Sequence, residues 1–101
     1  MPKYMTIHTF PMGKLTPERI AEIADAGQKH PLVRGYRSFH SPSEGRIVWL
    51  LEAPDKEAVA TWCREVDLPL DAITELELEG HVGVIRQAND PLAGKPPEEG
   101  H

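Results

Sequence analysis

The stretch Arg46-Ile47-Val48-Trp49-Leu50-Leu51-Glu52-Ala53 constrains this chain more than any other. Its five central residues are all apolar, and their β-branched and aromatic types favour a strand. Successive strand side chains point to opposite faces, so this strand is apolar on both and must be covered on both. A chain of 101 residues is long enough for one domain. Its other elements, or a second copy, must supply the cover.

Residues 32–41 read as the preceding strand, joined to it through the turn Pro42-Ser43-Glu44-Gly45. With Ser41 opposite Arg46, Ser38, His40 and Tyr36 share a face with Ile47, Trp49 and Leu51. Arg37 and Phe39 then join Val48, Leu50 and Glu52. A slip of one residue would exchange the two sets.

Residues 3–10 form a first strand, ended by Pro11-Met12-Gly13. Thr16 then suits a helix N-cap, Pro17 the first helical position and Glu18 the positive helix end. Ile20, Ile23 and Ala24 make its apolar stripe, and Gly27 and Pro31 bound it. Asp55 caps a second helix, whose buried stripe is Val59, Trp62, Cys63 and Val66 and which Pro69 ends. Residues 71–79 alternate as a fourth strand, and residues 81–86 read as a short strand or arm. Residues 87–101, rich in Pro, Gly, Asn and Glu, read as a disordered tail, leaving residues 1–86 as the domain.

The order β-α-β-β-α-β predicts an α+β fold of the ferredoxin-like, split βαβ type: an antiparallel sheet with two helices on one face. Two helices shield one side only. Giving them the more aliphatic face, with Met5, Ile7, Val48 and Leu50, leaves Tyr4, Thr6, His8 and Phe10 open, beside Tyr36, His40, Trp49 and Leu51. Such a patch marks an interface or ligand site. Back-to-back homodimerisation, as in dimeric α/β barrels, would bury it at about 25 cal/mol per Å² of apolar area. Tyr36, Trp49, Phe10 and Leu51 would then line a pocket for a small organic molecule.

Eleven basic against sixteen acidic residues give a net charge of −5. That opposes nucleic acid or an anionic membrane as the partner. The single cysteine, Cys63, excludes an intramolecular disulfide, and no apolar leader or span is apparent, so a cytoplasmic protein is expected.

His8 and His40 have the side chain that titrates near neutrality and binds borderline metals; the plainer account is a hydrogen-bonded interface histidine. Glu75, on the strand expected beside the first, could pair with His8 as acid and base, or be a solvated edge carboxylate. Cys63 and Asp67 stand four apart, the spacing of a two-ligand metal clip on a helix, or of a core thiol beside a helix-ending carboxylate. No phosphate loop, nucleophile elbow, CxxC or HExxH is present.

Met1-Pro2-Lys3-Tyr4-Met5, Leu15-Thr16-Pro17-Glu18 and the run from Gly45 through Glu52-Ala53-Pro54 resemble the small bacterial nickel-binding ferredoxin-like proteins, a group otherwise filed as a domain of unknown function. The resemblance spans roughly residues 1–79. It implies a homodimer and a divalent transition metal such as nickel. His8 matches a histidine of that group. Thr9, Trp49, Cys63 and Asp67 stand where its members often have His, Cys, His and His, so the implied metal set is His8, Cys63 and Asp67. With His8 on the open face and the second helix on the other, one such site would need a sheet edge or a second subunit. The expected function is a dimeric binding protein with a pocket or degenerate metal site. The alternatives are a cofactor-independent enzyme acting through His8, His40 or Glu75, and a protein-interaction module.

Overall fold

Caps and prolines start both helices where the sequence places them. The Thr16 hydroxyl accepts from the Arg19 backbone N–H, and the Asp55 carboxylate from that of Ala58. Each satisfies a donor that the first helical turn leaves free. The computed structural model describes residues 1–91 and 93. In chain order it contains β1 (Lys3–Thr9), α1 (Pro17–Lys29), β2 (Arg34–Ser41), β3 (Arg46–Glu52), α2 (Lys56–Glu65) and β4 (Ala72–Glu75). A short hairpin follows, β5 (Leu78–His81) and β6 (Val84–Gln87). The first four strands form one antiparallel sheet in the order β2-β3-β1-β4, and the hairpin is a separate two-stranded sheet. Among the described residues no helix is long and apolar enough to cross a membrane.

The hairpin register is the one expected, with Ser41 opposite Arg46, His40 opposite Ile47 and Ser38 opposite Trp49. The face assignment is reversed. Tyr4, Ile47, Trp49 and Leu51 lie beneath the helices, packed with Ile23, Val59, Trp62 and Cys63, and Thr6 and His8 are buried on the same side. The open face carries Lys3, Met5, Ile7, Val48, Leu50 and Glu52. Two aromatic rings decide the packing. Trp49 meets Trp62 of α2 edge to face, with centroids 5.4 Å apart, a geometry that adds to simple area burial.

That indole explains two glycines. α1 runs through Gly27 to Lys29 instead of ending at the glycine, because a Cβ there would lie 3.0 Å from the Trp49 ring. Gly27 is a packing gap rather than a terminator. A Cβ at Gly35 would overlap the Trp49 indole nitrogen. Just after Gly35 the β2–β3 register shifts. Tyr36 is the extra residue of this bulge, so it leaves the Trp49 face and reaches the open one. There its ring lies 5.1 Å from the Lys3 ammonium.

Residues 71–79 are not one strand. β4 ends at Glu75, the Leu76 N–H still donates to the Lys3 carbonyl at 2.9 Å, and the chain then leaves the sheet for the hairpin. Nor are residues 81–86 one strand. Val82 and Gly83 form the two-residue turn, with φ of 49° and 78°, the pair of positive values that a type I′ hairpin requires. Gly80, which looks like a break, lies inside β5. Strand β6 extends to Gln87 and Ala88 is buried. Of the tail expected over residues 87–101, residues 92 and 94–101 lie outside the described residues.

Gly35→Ala forces the Trp49 indole out of its seat. Overpacking of this kind costs ~1–3 kcal/mol, so urea unfolding should show a lower midpoint with an unchanged slope. An unshifted midpoint would contradict the contact.

Candidate functional site

Histidine 8 carries the most buried ionisable ring on the sheet. Its Nδ1 lies 2.7 Å from the Pro69 carbonyl oxygen. A carbonyl only accepts, so Nδ1 holds the proton and donates, and Nε2 accepts from the Thr6 hydroxyl at 2.7 Å. Both ring nitrogens are used, and they tie the loop after α2 to β1. Burial holds the His8 pKa below its ordinary value, opposed by the Pro69 carbonyl and the Asp71 charge.

His40 lies opposite Ile47, which lies opposite His8. The two histidines therefore share a face, but the covered one, two strand spacings or about 10 Å apart. The Ser38 Oγ is 2.8 Å from His40 Nε2, and the ring meets Trp49 edge-on at 6.1 Å. Burial lowers the His40 pKa. A serine beside an imidazole suggests a nucleophile and base. Here Nδ1 is buried without a hydrogen-bond partner among the described residues, so no third group orients the ring.

Glu75 sits opposite Tyr4, four positions along β1 from His8, or about 13 Å at ~3.3 Å per residue. The structure does not bring the two together. The carboxylate near His8 is Asp71, which accepts from the Thr9 hydroxyl at 2.5 Å. Trp49, Leu51 and Phe10 are core residues, so of the four expected pocket residues only Tyr36 reaches the open face.

A cleft of about 510 Å³ lies there, between Lys3, Tyr36, Leu50 and Glu52 of the sheet and Glu79 and His81 of the hairpin. Its size is that of a small-molecule site. Glu79 holds it together, pairing with the Lys3 ammonium at 3.2 Å and accepting from the Tyr36 hydroxyl at 3.4 Å. Burial, and then Glu79, push the Tyr36 pKa upward, which keeps the phenol a donor. Lys3 and Glu79 escaped the sequence reading because they are 76 positions apart and the hairpin's return to the sheet has no local signature. Glu75 lines a different depression, of about 660 Å³, with Glu77 and Leu78.

Residues 4–76 match the family described as "Nickel responsive protein SCO4226-like". The chain belongs to this SCO4226-like family. The crystal structure of SCO4226 from Streptomyces coelicolor A3(2) superposes with a TM-score of 0.66 at 25% sequence identity, covering 77% of this chain and 99% of that one. No curated protein matches. The SCO4226-like stretch ends before β5, so the hairpin side of the cleft lies outside it.

The SCO4226-like family is named for nickel, and the donors of this chain can be tested against that metal. The reversed face puts His8 on the side of α2, so the sheet no longer separates it from Cys63. Yet both His8 nitrogens are engaged. Burial pushes the Cys63 thiol up to about 11, so it is protonated at neutral pH, whereas a metal needs the thiolate. Asp67 sits past the end of α2 at φ 56°, its carbonyl accepting from Arg19. The described residues contain no group of three or more His, Cys, Asp or Glu able to hold a metal ion. His8, Cys63 and Asp67 do not fit a nickel site within one chain.

Two outcomes follow from these environments. Both His8 and His40 have lowered folded-state pKa values, against 6.5 unfolded. The unfolded chain therefore binds more protons below pH 6.5, and stability rises with pH there. Thermal melts should show full stability above pH 6.5 and a decline as pH falls through the lowered values. His8→Asn should flatten that decline, and an unchanged slope would sink the His8 assignment. Cys63 should react with a thiol reagent slowly in native protein at pH 7.5 and at once in denaturant.

Proposed function

We propose that the chain is a small homodimeric binding protein, built on a ferredoxin-like sheet, whose ligand site is the open-face cleft and whose family metal site is degenerate. The strand order β2-β3-β1-β4 with both helices packed on one side supports the ferredoxin-like reading. The observation that carries the proposal is the state of the open face. Met5, Ile7, Val48 and Leu50 are only half-buried there, and Phe39 is 51% exposed. Apolar surface of this kind seeks cover, and a second copy stacking back to back, as in dimeric α/β barrels, supplies it.

The cleft at one end of that face suits a small organic molecule with both apolar and polar parts. Leu50 and the Tyr36 ring offer apolar wall, while Lys3, Arg37, Glu52 and Glu79 offer charge. An enzyme acting through His8, His40 and Glu75 draws less support, since the two histidines are under the helices and Glu75 is remote from both. The acidic balance continues to argue against nucleic acid and anionic membranes, and the single, buried, free cysteine accords with a reducing cytoplasm.

Sedimentation equilibrium should find a dimer that Phe39→Asp weakens. Calorimetric titration with nickel should show no stoichiometric binding to untagged protein. One tightly held nickel per chain, lost on His8→Ala, would overturn the degenerate-site reading.

A further inference from the structure

The β5–β6 hairpin lies outside the stretch matched to the family, so its role has to be read from its own residues. Its two faces differ. Glu79, His81, Val84 and Arg86 point inward and are half-buried, with Glu79 bound to Lys3 and Tyr36. Leu78, Gly80, Ile85 and Gln87 point outward, and Val82 stands at the tip. None of these five is ionisable. Leu78, Ile85 and Val82 are 58%, 63% and 78% exposed.

Val82 sharpens the point. It occupies the left-handed region at φ 49°, where a β-branched side chain is strained. Asn or Asp fits that turn position without the strain and suits water better. An apolar tip kept in a strained turn, and left in solvent, is favourable only if something covers it.

The sheet offers a matching surface. The hairpin's bonds and the cleft fall at the Lys3 end of the open face. Ile7, Val48 and Phe39 form one row across three strands at the opposite end, about 13 Å away at ~3.3 Å per residue. The three side chains of this row are apolar and Phe39 remains half in solvent, with the Arg37 guanidinium 5.1 Å from its ring centroid at the row's margin. The hairpin cannot serve that row in its own chain, because its inner face is fixed at the Lys3 end and its outer face turns away from the sheet. A twofold axis between two open faces removes the difficulty. Each hairpin then sits on its own sheet at one end and under the partner's bare end, so the two fill the space between the sheets side by side. The same contact is made twice, as an isologous interface requires.

We propose that β5–β6 is a dimer clasp. Its Leu78, Val82 and Ile85 face seats on the Ile7, Val48 and Phe39 row of a second copy, and that copy's sheet roofs the cleft bounded by Lys3, Tyr36 and Glu79. A second copy is the occupant because one chain carries both exposed apolar surfaces at the ends that symmetry brings together. The clasp rests on the homodimer reading above.

Sedimentation equilibrium on the full chain tests it with three proteins. The native chain should be a dimer. Leu78→Asp with Ile85→Asp should raise the dimer dissociation constant about 100-fold, as expected when apolar contacts at the centre of an interface are replaced by charge. Val82→Asn should relieve the turn and hold or raise the melting temperature of the monomer, yet still weaken the dimer about 10-fold. That split is one that a purely structural hairpin would not produce. A native dimer indifferent to the variants would overturn the clasp and leave the dimer standing. A native monomer would overturn both. If the double Asp variant does not fold, Val82→Asn decides alone.

Discussion

The Trp49 indole sets the geometry on which the rest of this structure depends. It stands on the central pair of strands and reaches into the layer between the sheet and both helices, edge-on to Trp62 and to His40. A ring that large needs bare backbone beside it. α1 supplies this at Gly27 and β2 at Gly35. The consequences run outward along β2. The ladder shifts by one residue just past Gly35, and the residue set out of step is Tyr36. A tyrosine whose spacing would place it with Trp49 is thereby delivered to the opposite side of the sheet. There it meets Lys3 and receives the hairpin through Glu79. Core packing on one face thus builds the cleft on the other.

Much of the fold was legible because local chemistry carries it. Thr16 with Pro17 and Asp55 mark helix starts, and the four-residue turn before Arg46 sets the register of the central hairpin. Aliphatic content does not identify the covered face, because both faces of β1 and β3 are apolar enough to be buried. Charge would have chosen correctly. Tyr4, Thr6, His8, Ile47, Trp49 and Leu51 include no Lys, Arg, Asp or Glu, whereas the other face bears Lys3, Arg46 and Glu52. A polar but uncharged pair such as Thr6 and His8 can be buried at little loss if each satisfies the other, and their hydroxyl and ring do so. An unpaired lysine cannot.

The hairpin and the bulge were not legible for a different reason. Each depends on distant partners. Nothing local in Gly35-Tyr36 announces a bulge until the size of Trp49 across the strand is considered, and Val82-Gly83 lacks the Asn or Asp that usually signals a type I′ turn. The candidate site inherits this difficulty. Its polar centre joins the third residue of the chain to the seventy-ninth, and no periodicity links them.

Family membership and site chemistry separate along the same line. The SCO4226-like stretch, residues 4–76, accounts for the four-stranded sheet, both helices and the buried His8. In this chain that histidine spends both nitrogens holding Pro69 and Thr6, a mechanical role that leaves no lone pair for a metal. Lys3 just precedes that stretch and Glu79 follows it, so the ion pair of the cleft comes from outside the shared scaffold, while Arg37 and Glu52 belong to it. The shared stretch therefore accounts for how this chain folds, while the ion pair that closes the cleft lies outside it. Glu79, beyond one end of the common fold, ties Lys3, just before its other end, and Tyr36 into one network.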